Sequence, residues 1–245
     1  MRSSSDTRGE QRHPDRPQAE NPKRDGGGGP NTLFIVGIGP GGPDYLCGRA
    51  VEVLKSVAVV AGYTTYIDLI RPLIEGKRVV STGMRKEVER MEAAVDIARS
   101  GESCAIVSSG DPGIYAMAGL AFEMCRQKRI RLHAHRSASV EDFSKAAGVE
   151  PASRDGLAIE VVPGIPALAA GASLLGAPLS HDFAAVSLSD LLTPWKTIEK
   201  RVEAAASADF VIVFYNPKSK KRGEHLTTAQ KIILKYRDRS EERRV

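Results

Sequence analysis

Leu33-Phe34-Ile35-Val36-Gly37-Ile38-Gly39-Pro40-Gly41-Gly42-Pro43 passes directly from four apolar residues into a loop with four glycines and two prolines. The apolar run reads as a buried strand and the loop as a strand-to-helix turn. Its spacing satisfies GxGxxG, the pattern that brings backbone amides against a dinucleotide pyrophosphate. Two features argue against that use. Pro40 removes one such amide, and Pro43 adds a second stiff position. The next strand ends Val59-Val60-Ala61-Gly62, without the acid that would bind ribose hydroxyls. A nucleotide-dependent oxidoreductase is therefore the disfavoured alternative. What remains is a loop whose backbone passes close to a ligand or to another strand.

Outward from this stretch, short apolar runs alternate with helical ones. Helices are expected over about 44–55 and 63–70, with strands at Val57–Val60 and Arg78–Val80. Glu87–Arg99 is amphipathic, with Val88, Met91, Val95 and Ala98 at three- and four-residue spacings. Cys104–Val107 reads as a strand, followed by Ser108-Ser109-Gly110-Asp111-Pro112-Gly113-Ile114-Tyr115. There Asp111 would cap a helix that Pro112 opens. Leu157–Val162, Phe183–Leu188 and Phe210–Phe214 read as further strands, with helices at 165–175, 194–206 and 227–236. The pattern predicts two α/β domains with a ligand cleft between them. The expected boundaries are 32–128 and 157–236, joined by a linker or insertion at 129–156 with a short helix near Val140–Ala147. A charged tail follows at 237–245. Residues 1–31 hold two hydrophobic residues, Met1 and Ala19, and are expected to be disordered.

Charge and cysteine usage narrow the function classes. The net charge is +5, but residues 216–245 carry ten Lys and Arg against four Asp and Glu. That local +6 leaves −1 for the rest of the chain. Tyr236 is the segment's only aromatic residue, so it reads as a solvated terminal helix rather than an RNA-binding face. No nucleic-acid partner is expected, although a basic RNA-binding protein is the non-enzymatic rival. No apolar run has membrane-spanning length and no secretory signal is visible. Three cysteines without CxxC spacing fit neither a disulfide scaffold nor a zinc site and suit the cytoplasm. His133 and His135 would share one face of a strand, but with no third ligand identifiable no metal is expected. His181-Asp182, after a proline turn, could place an acid near the cleft or simply be exposed.

Gly37-Ile38-Gly39-Pro40-Gly41, Ser109-Gly110-Asp111-Pro112-Gly113 and Val162-Pro163-Gly164 resemble the signatures of the tetrapyrrole (corrin and porphyrin) methyltransferases. Four further segments resemble the ring-contracting branch that methylates C17 of precorrin-3B. They are Gly62–Asp68, Ser81–Val88, Ser187–Trp195 and Tyr215–Ser219. The resemblance covers about 32–235. It implies S-adenosyl-L-methionine as methyl donor, a tetrapyrrole substrate and a homodimer. It also implies that Pro40, Gly110, Asp111, Ile114, Pro166, Ala167 and Asn216 line the cofactor. The substrate's carboxylates need cations, for which Arg85, Lys86 and Lys218 are candidates. No catalytic acid is identified. The chain departs from the family in having Cys47 where Thr is usual, in a longer 129–156 segment, and in ending after a helix. By resemblance, further strands would close the second domain, which is therefore expected to be incomplete at its C-terminus.

Overall fold

A computed structural model of the protein describes residues 31–134, 156–176, 178–219 and 223–238. The expected N-terminal disorder, the helix near Val140–Ala147, His135 and most of the charged tail lie outside these residues. The larger body is a six-stranded, wholly parallel sheet. Its strands are β1 (Thr32–Gly37), β2 (Val59–Tyr63), β3 (Arg78–Thr82), β4 (Cys104–Ser108), β5 (Leu132–Ala134) and β6 (Leu157–Val162). They lie in the order β3-β2-β4-β1-β6-β5. A dinucleotide fold would place β1 beside β2. Here β4 separates them, so the topology removes the oxidoreductase alternative that the missing acid had already weakened.

Alternation along β1 and β4 explains why both are apolar throughout. Leu33, Ile35, Cys104 and Ile106 face a core closed by α3 (Glu87–Arg99) and α4 (Met117–Gln127). Phe34, Val36, Ala105 and Val107 face the opposite core, closed by α1 (Gly48–Ser56) and α2 (Thr64–Leu69). A parallel sheet covered on both faces has no polar side to show.

Two expectations are corrected. Leu157–Val162 was expected to open the second domain, yet as β6 it pairs with β1, Val162 opposite Val36. Arg49 of α1 fixes it there through a bidentate pair with Glu160, both contacts at 2.7 Å. Leu132–Ala134, expected within a linker, forms the edge strand beside β6. The second correction concerns Asp111. It caps no helix, because α4 begins at Met117 with Ala116 as its N-cap residue.

The smaller body holds α5 (Ala167–Leu174), β7 (Phe183–Ser187), α6 (Trp195–Ser207), β8 (Val211–Tyr215) and α7 (His225–Ile233). β7 and β8 pair in parallel, and Val186, Leu188, Ile198, Val202 and Ala229 form the core beneath them. No helix among the described residues is long and apolar enough to cross a membrane.

The buried thiols make a prediction about alkaline stability. Burial pushes Cys104 up to about 12 from its ordinary 9.0. Between those values the unfolded chain has lost a proton that the native chain retains. Stability from this group is therefore complete below pH 9 and declines as pH rises towards 12, by up to about 1.4 kcal/mol per pH unit. The urea midpoint should fall between pH 9 and 11, and Cys104→Ala should flatten that fall. An equal slope in the variant would assign the decline to other groups.

Candidate active site

Three loops leave the carboxyl ends of β1, β4 and β6 and meet backbone to backbone. Ile38 N–H donates to Ser108 O at 2.9 Å, Gly39 N–H to Gly110 O at 3.2 Å and Gly110 N–H to Gly39 O at 2.8 Å. The Gly39–Gly110 pair is an antiparallel bridge between loops of parallel strands. Gly164 enters from β6. A Cβ on it would lie 2.2 Å from Gly110 O, and one on Gly37 would lie 2.7 Å from both Gly110 O and Gly164 N. Side chains are excluded at both positions. Gly110 differs, since its φ of +62° is its constraint while an added Cβ would meet nothing nearer than 3.6 Å.

Asp111 ties two of these loops together. Its Oδ1 accepts from Gly113 N–H at 2.8 Å and its Oδ2 from Gly164 N–H at 3.2 Å. Cys47 does similar work for the third. Its Sγ accepts from Ala50 N–H at 3.4 Å as the cap of α1 and donates to Pro163 O at 3.3 Å. A thiol thus takes a hydroxyl's place, with a weaker donor and acceptor.

Beside this junction lies an open cleft of about 480 Å³, lined by Gly113, Ile114, Tyr115, Pro166, Leu168, Phe183 and Ala185. The lining comes from the β4 loop, α5 and β7, so the cleft lies between the two bodies. Tyr115 and Tyr215 connect them. The Tyr115 hydroxyl donates to Ala185 O at 2.8 Å, Leu168 N–H donates to the Tyr215 hydroxyl at 3.1 Å, and the rings lie 5.1 Å apart. A larger groove of about 670 Å³ between Asp68 and Val79 opens at the amino end of β3. Open α/β sheets bind ligands at the other end, where the glycine loops are.

The expected cofactor residues separate into groups. Ile114 and Pro166 line the cleft. Gly110, Asp111 and Ala167 belong to the junction, and an added Cβ on Gly110 would lie 3.6 Å from Ala167 N. Pro40 is exposed, one residue beyond the Gly39 bridge. Asn216 lies at the end of β8, where its Nδ2 donates to Ser187 Oγ at 3.0 Å. The expected cations are exposed on separate elements. Arg85 and Lys86 follow β3, with Lys86 held by Glu89 at 2.8 Å, while Lys218 follows β8. His181 and Asp182 are exposed just before β7. The His133 imidazole lies against Gly156, where an added Cβ would fall 1.6 Å from Nε2.

Tyr115 and Tyr215 are the residues that sequence reasoning passed over, although both stand inside the quoted motifs. Tyr115, Asn216 and Arg85 all have left-handed backbones, with φ of 52°, 51° and 69°. Such conformations cost non-glycine residues energy, and Asn31, Arg129 and Asp209, away from the cleft, share them.

Parallel topology with β4 beside β1, and a cleft at the carboxyl ends between two bodies, define an α/β protein of the two-body kind. The chain belongs to the tetrapyrrole (corrin/porphyrin) methylases, whose family model matches residues 32–139 and 144–245. It is similar to a cobalt-factor III methyltransferase of Priestia megaterium, 45% identical over 84% of this chain but only 34% of that protein. The chain thus corresponds to about a third of that relative's length. A probable cobalt-factor III C(17)-methyltransferase of Salmonella typhimurium is 43% identical over 80% of this chain and 71% of that one. The solved structure of the methyltransferase CobJ is similar with a TM-score of 0.67 at 35% identity, covering 85% and 77% of the two chains.

Proposed function

We propose that this chain transfers a methyl group from S-adenosyl-L-methionine to C17 of precorrin-3B or of its cobalt counterpart, cobalt-factor III, with ring contraction, in cobalamin biosynthesis. The supporting observation is the backbone junction of Gly37, Gly110 and Gly164 beside a cleft of mostly apolar lining. Those loops fit a cofactor with both polar and apolar parts. Gly110, Asp111, Pro166 and Ala167 would hold it through backbone and loop shape, with Ile114 and Leu168 against its apolar parts. Bound there, S-adenosyl-L-methionine would supply an electrophilic methyl carbon on a sulfonium.

Displacement at that carbon by an electron-rich ring carbon needs alignment and exclusion of water more than a strong base. Ile114, Leu168 and Phe183 supply apolar walls, and the tyrosine pair holds the two sides of the cleft together. Ring contraction requires proton movement as well. Arg85 and Lys218 remain the proposed contacts for substrate carboxylates. Lys86, already paired with Glu89, contributes less. The same reading makes the enzyme a cytoplasmic homodimer.

Calorimetric titration with S-adenosylhomocysteine, and then with NADH, tests the proposal. Binding of S-adenosylhomocysteine alone is expected, followed by methyl incorporation into cobalt-factor III. Binding of NADH without S-adenosylhomocysteine would overturn it.

A further inference from the structure

The first turn of α3 reverses its own hydrophobic pattern. Val88, expected to face the core, is 58% exposed, whereas Arg90 is 4% exposed. Arg90 shares a stripe with Ala94 and Ala98, both fully buried, at the four-residue spacing that aligns side chains on one helix face. A cation on a core-facing stripe is unfavourable unless it is paired. Arg49, the comparable guanidinium on α1, has Glu52 and Glu160. Among the described residues Arg90 has no carboxylate. Its Nη1 donates to the Thr82 hydroxyl and, at 3.5 Å, to Gly83 O, both neutral acceptors. Those bonds orient the guanidinium and leave the Nε–Nη2 edge, the side that grips a carboxylate with two parallel bonds.

Position in the sheet supplies the second half of the argument. Thr82 ends β3, on the same side of the parallel sheet as the glycine loops. Two strand spacings separate it from the end of β4, on the order of 10 Å. A tetrapyrrole whose reacting carbon lies at the cleft reaches that far. The turn before α3 also carries the exposed cation of Arg85. An unmatched guanidinium at the carboxyl end of the sheet suits a ring edged with carboxylates.

We propose that Arg90 binds a peripheral carboxylate of the tetrapyrrole. This rests on the methyltransferase reading above. The test compares wild type, Arg90→Met and Arg90→Lys by steady-state kinetics on cobalt-factor III, S-adenosylhomocysteine calorimetry and thermal melting. Arg90→Met should raise KM about tenfold, the loss of a charge-assisted hydrogen bond, with kcat unchanged. Its affinity for S-adenosylhomocysteine should stay the same, and its Tm should hold or rise because a buried unpaired charge is gone. Arg90→Lys should recover part of the KM.

An unchanged KM in Arg90→Met, with lower Tm and weaker S-adenosylhomocysteine binding, would make Arg90 a brace for the Thr82–Gly83 turn and overturn the inference. Should the Met variant not fold, Arg90→Lys decides, since loss of the planar fork must then raise KM. A wild type that methylates cobalt-factor III while both variants keep its KM defeats this inference alone. A wild type that neither binds S-adenosylhomocysteine nor methylates defeats the methyltransferase reading and this inference with it.

Discussion

Gly164→Ala is expected to abolish S-adenosylhomocysteine binding and to destabilise the fold by more than about 3 kcal/mol. The new methyl carbon would lie 2.2 Å from Gly110 O and within 2.9 Å of both the carbonyl carbon and oxygen of Gly37. All three obstacles are main chain, so no rotamer change relieves them. Relief requires β6 to move away from β1, which would break the Val36–Val162 pairing and the Gly164 N–H bond to Asp111 that joins the β4 and β6 loops. Gly119→Ala is the control. It lies inside α4 with nothing within 4 Å of the added carbon, and replacing a helical glycine should add about 0.5–1 kcal/mol. Thermal melting and calorimetry on the pair decide the matter. A Gly164→Ala protein with wild-type Tm and affinity would show that the loops do not meet as described.

Asp111→Asn should break the inter-loop bond while keeping the local turn, lowering both stability and cofactor affinity. The amide oxygen can still accept from Gly113 N–H, whereas its NH₂ group would then oppose Gly164 N–H, donor against donor. The connection between the β4 and β6 loops is lost and the turn at 111–113 survives. A stability loss of about 1–3 kcal/mol is expected from the unsatisfied amide, with S-adenosylhomocysteine affinity reduced at least about tenfold. Asp111→Ala loses both bonds and should be worse on each measure. Equal affinity in the Asn variant, at any Tm, would mean that the inter-loop bond does not shape the cofactor site.

Most of the elements were legible because their apolar runs are short, separated and covered on two faces, as Leu33–Val36 and Cys104–Val107 are. Strand membership was not. Leu157–Val162 precedes the helices of the smaller body in sequence, and nothing in its composition says that it will pair with β1. Only the Arg49–Glu160 contact, 111 residues apart, betrays it. Asp111-Pro112 looked like a helix start because capping depends on a local pattern. In the fold its carboxylate instead bonds Gly164, 53 residues away, which local pattern cannot foresee. The glycine- and proline-rich strand ends did point to the junction, since density of such residues reflects crowded backbone. Arg90 was hidden for the opposite reason. Helical periodicity assigns inward positions to apolar residues, and the buried cation occupied one of them.

The meeting of Gly37, Gly110 and Gly164 has a consequence for how this enzyme can change over generations. In an ordinary core an enlarged residue can be accommodated by a neighbour that shrinks, and compensating pairs let the interior drift. Around Gly164 the neighbours are peptide groups, identical in every protein, with nothing to trim, and at Gly37 two of the three are, the third being the Pro112 ring. A damaging substitution at Gly164 therefore has no suppressor among the residues it strikes. A genetic screen should recover reversion to glycine at Gly164, while the Ile114, Leu168 and Phe183 walls of the cleft remain free to exchange volume with one another.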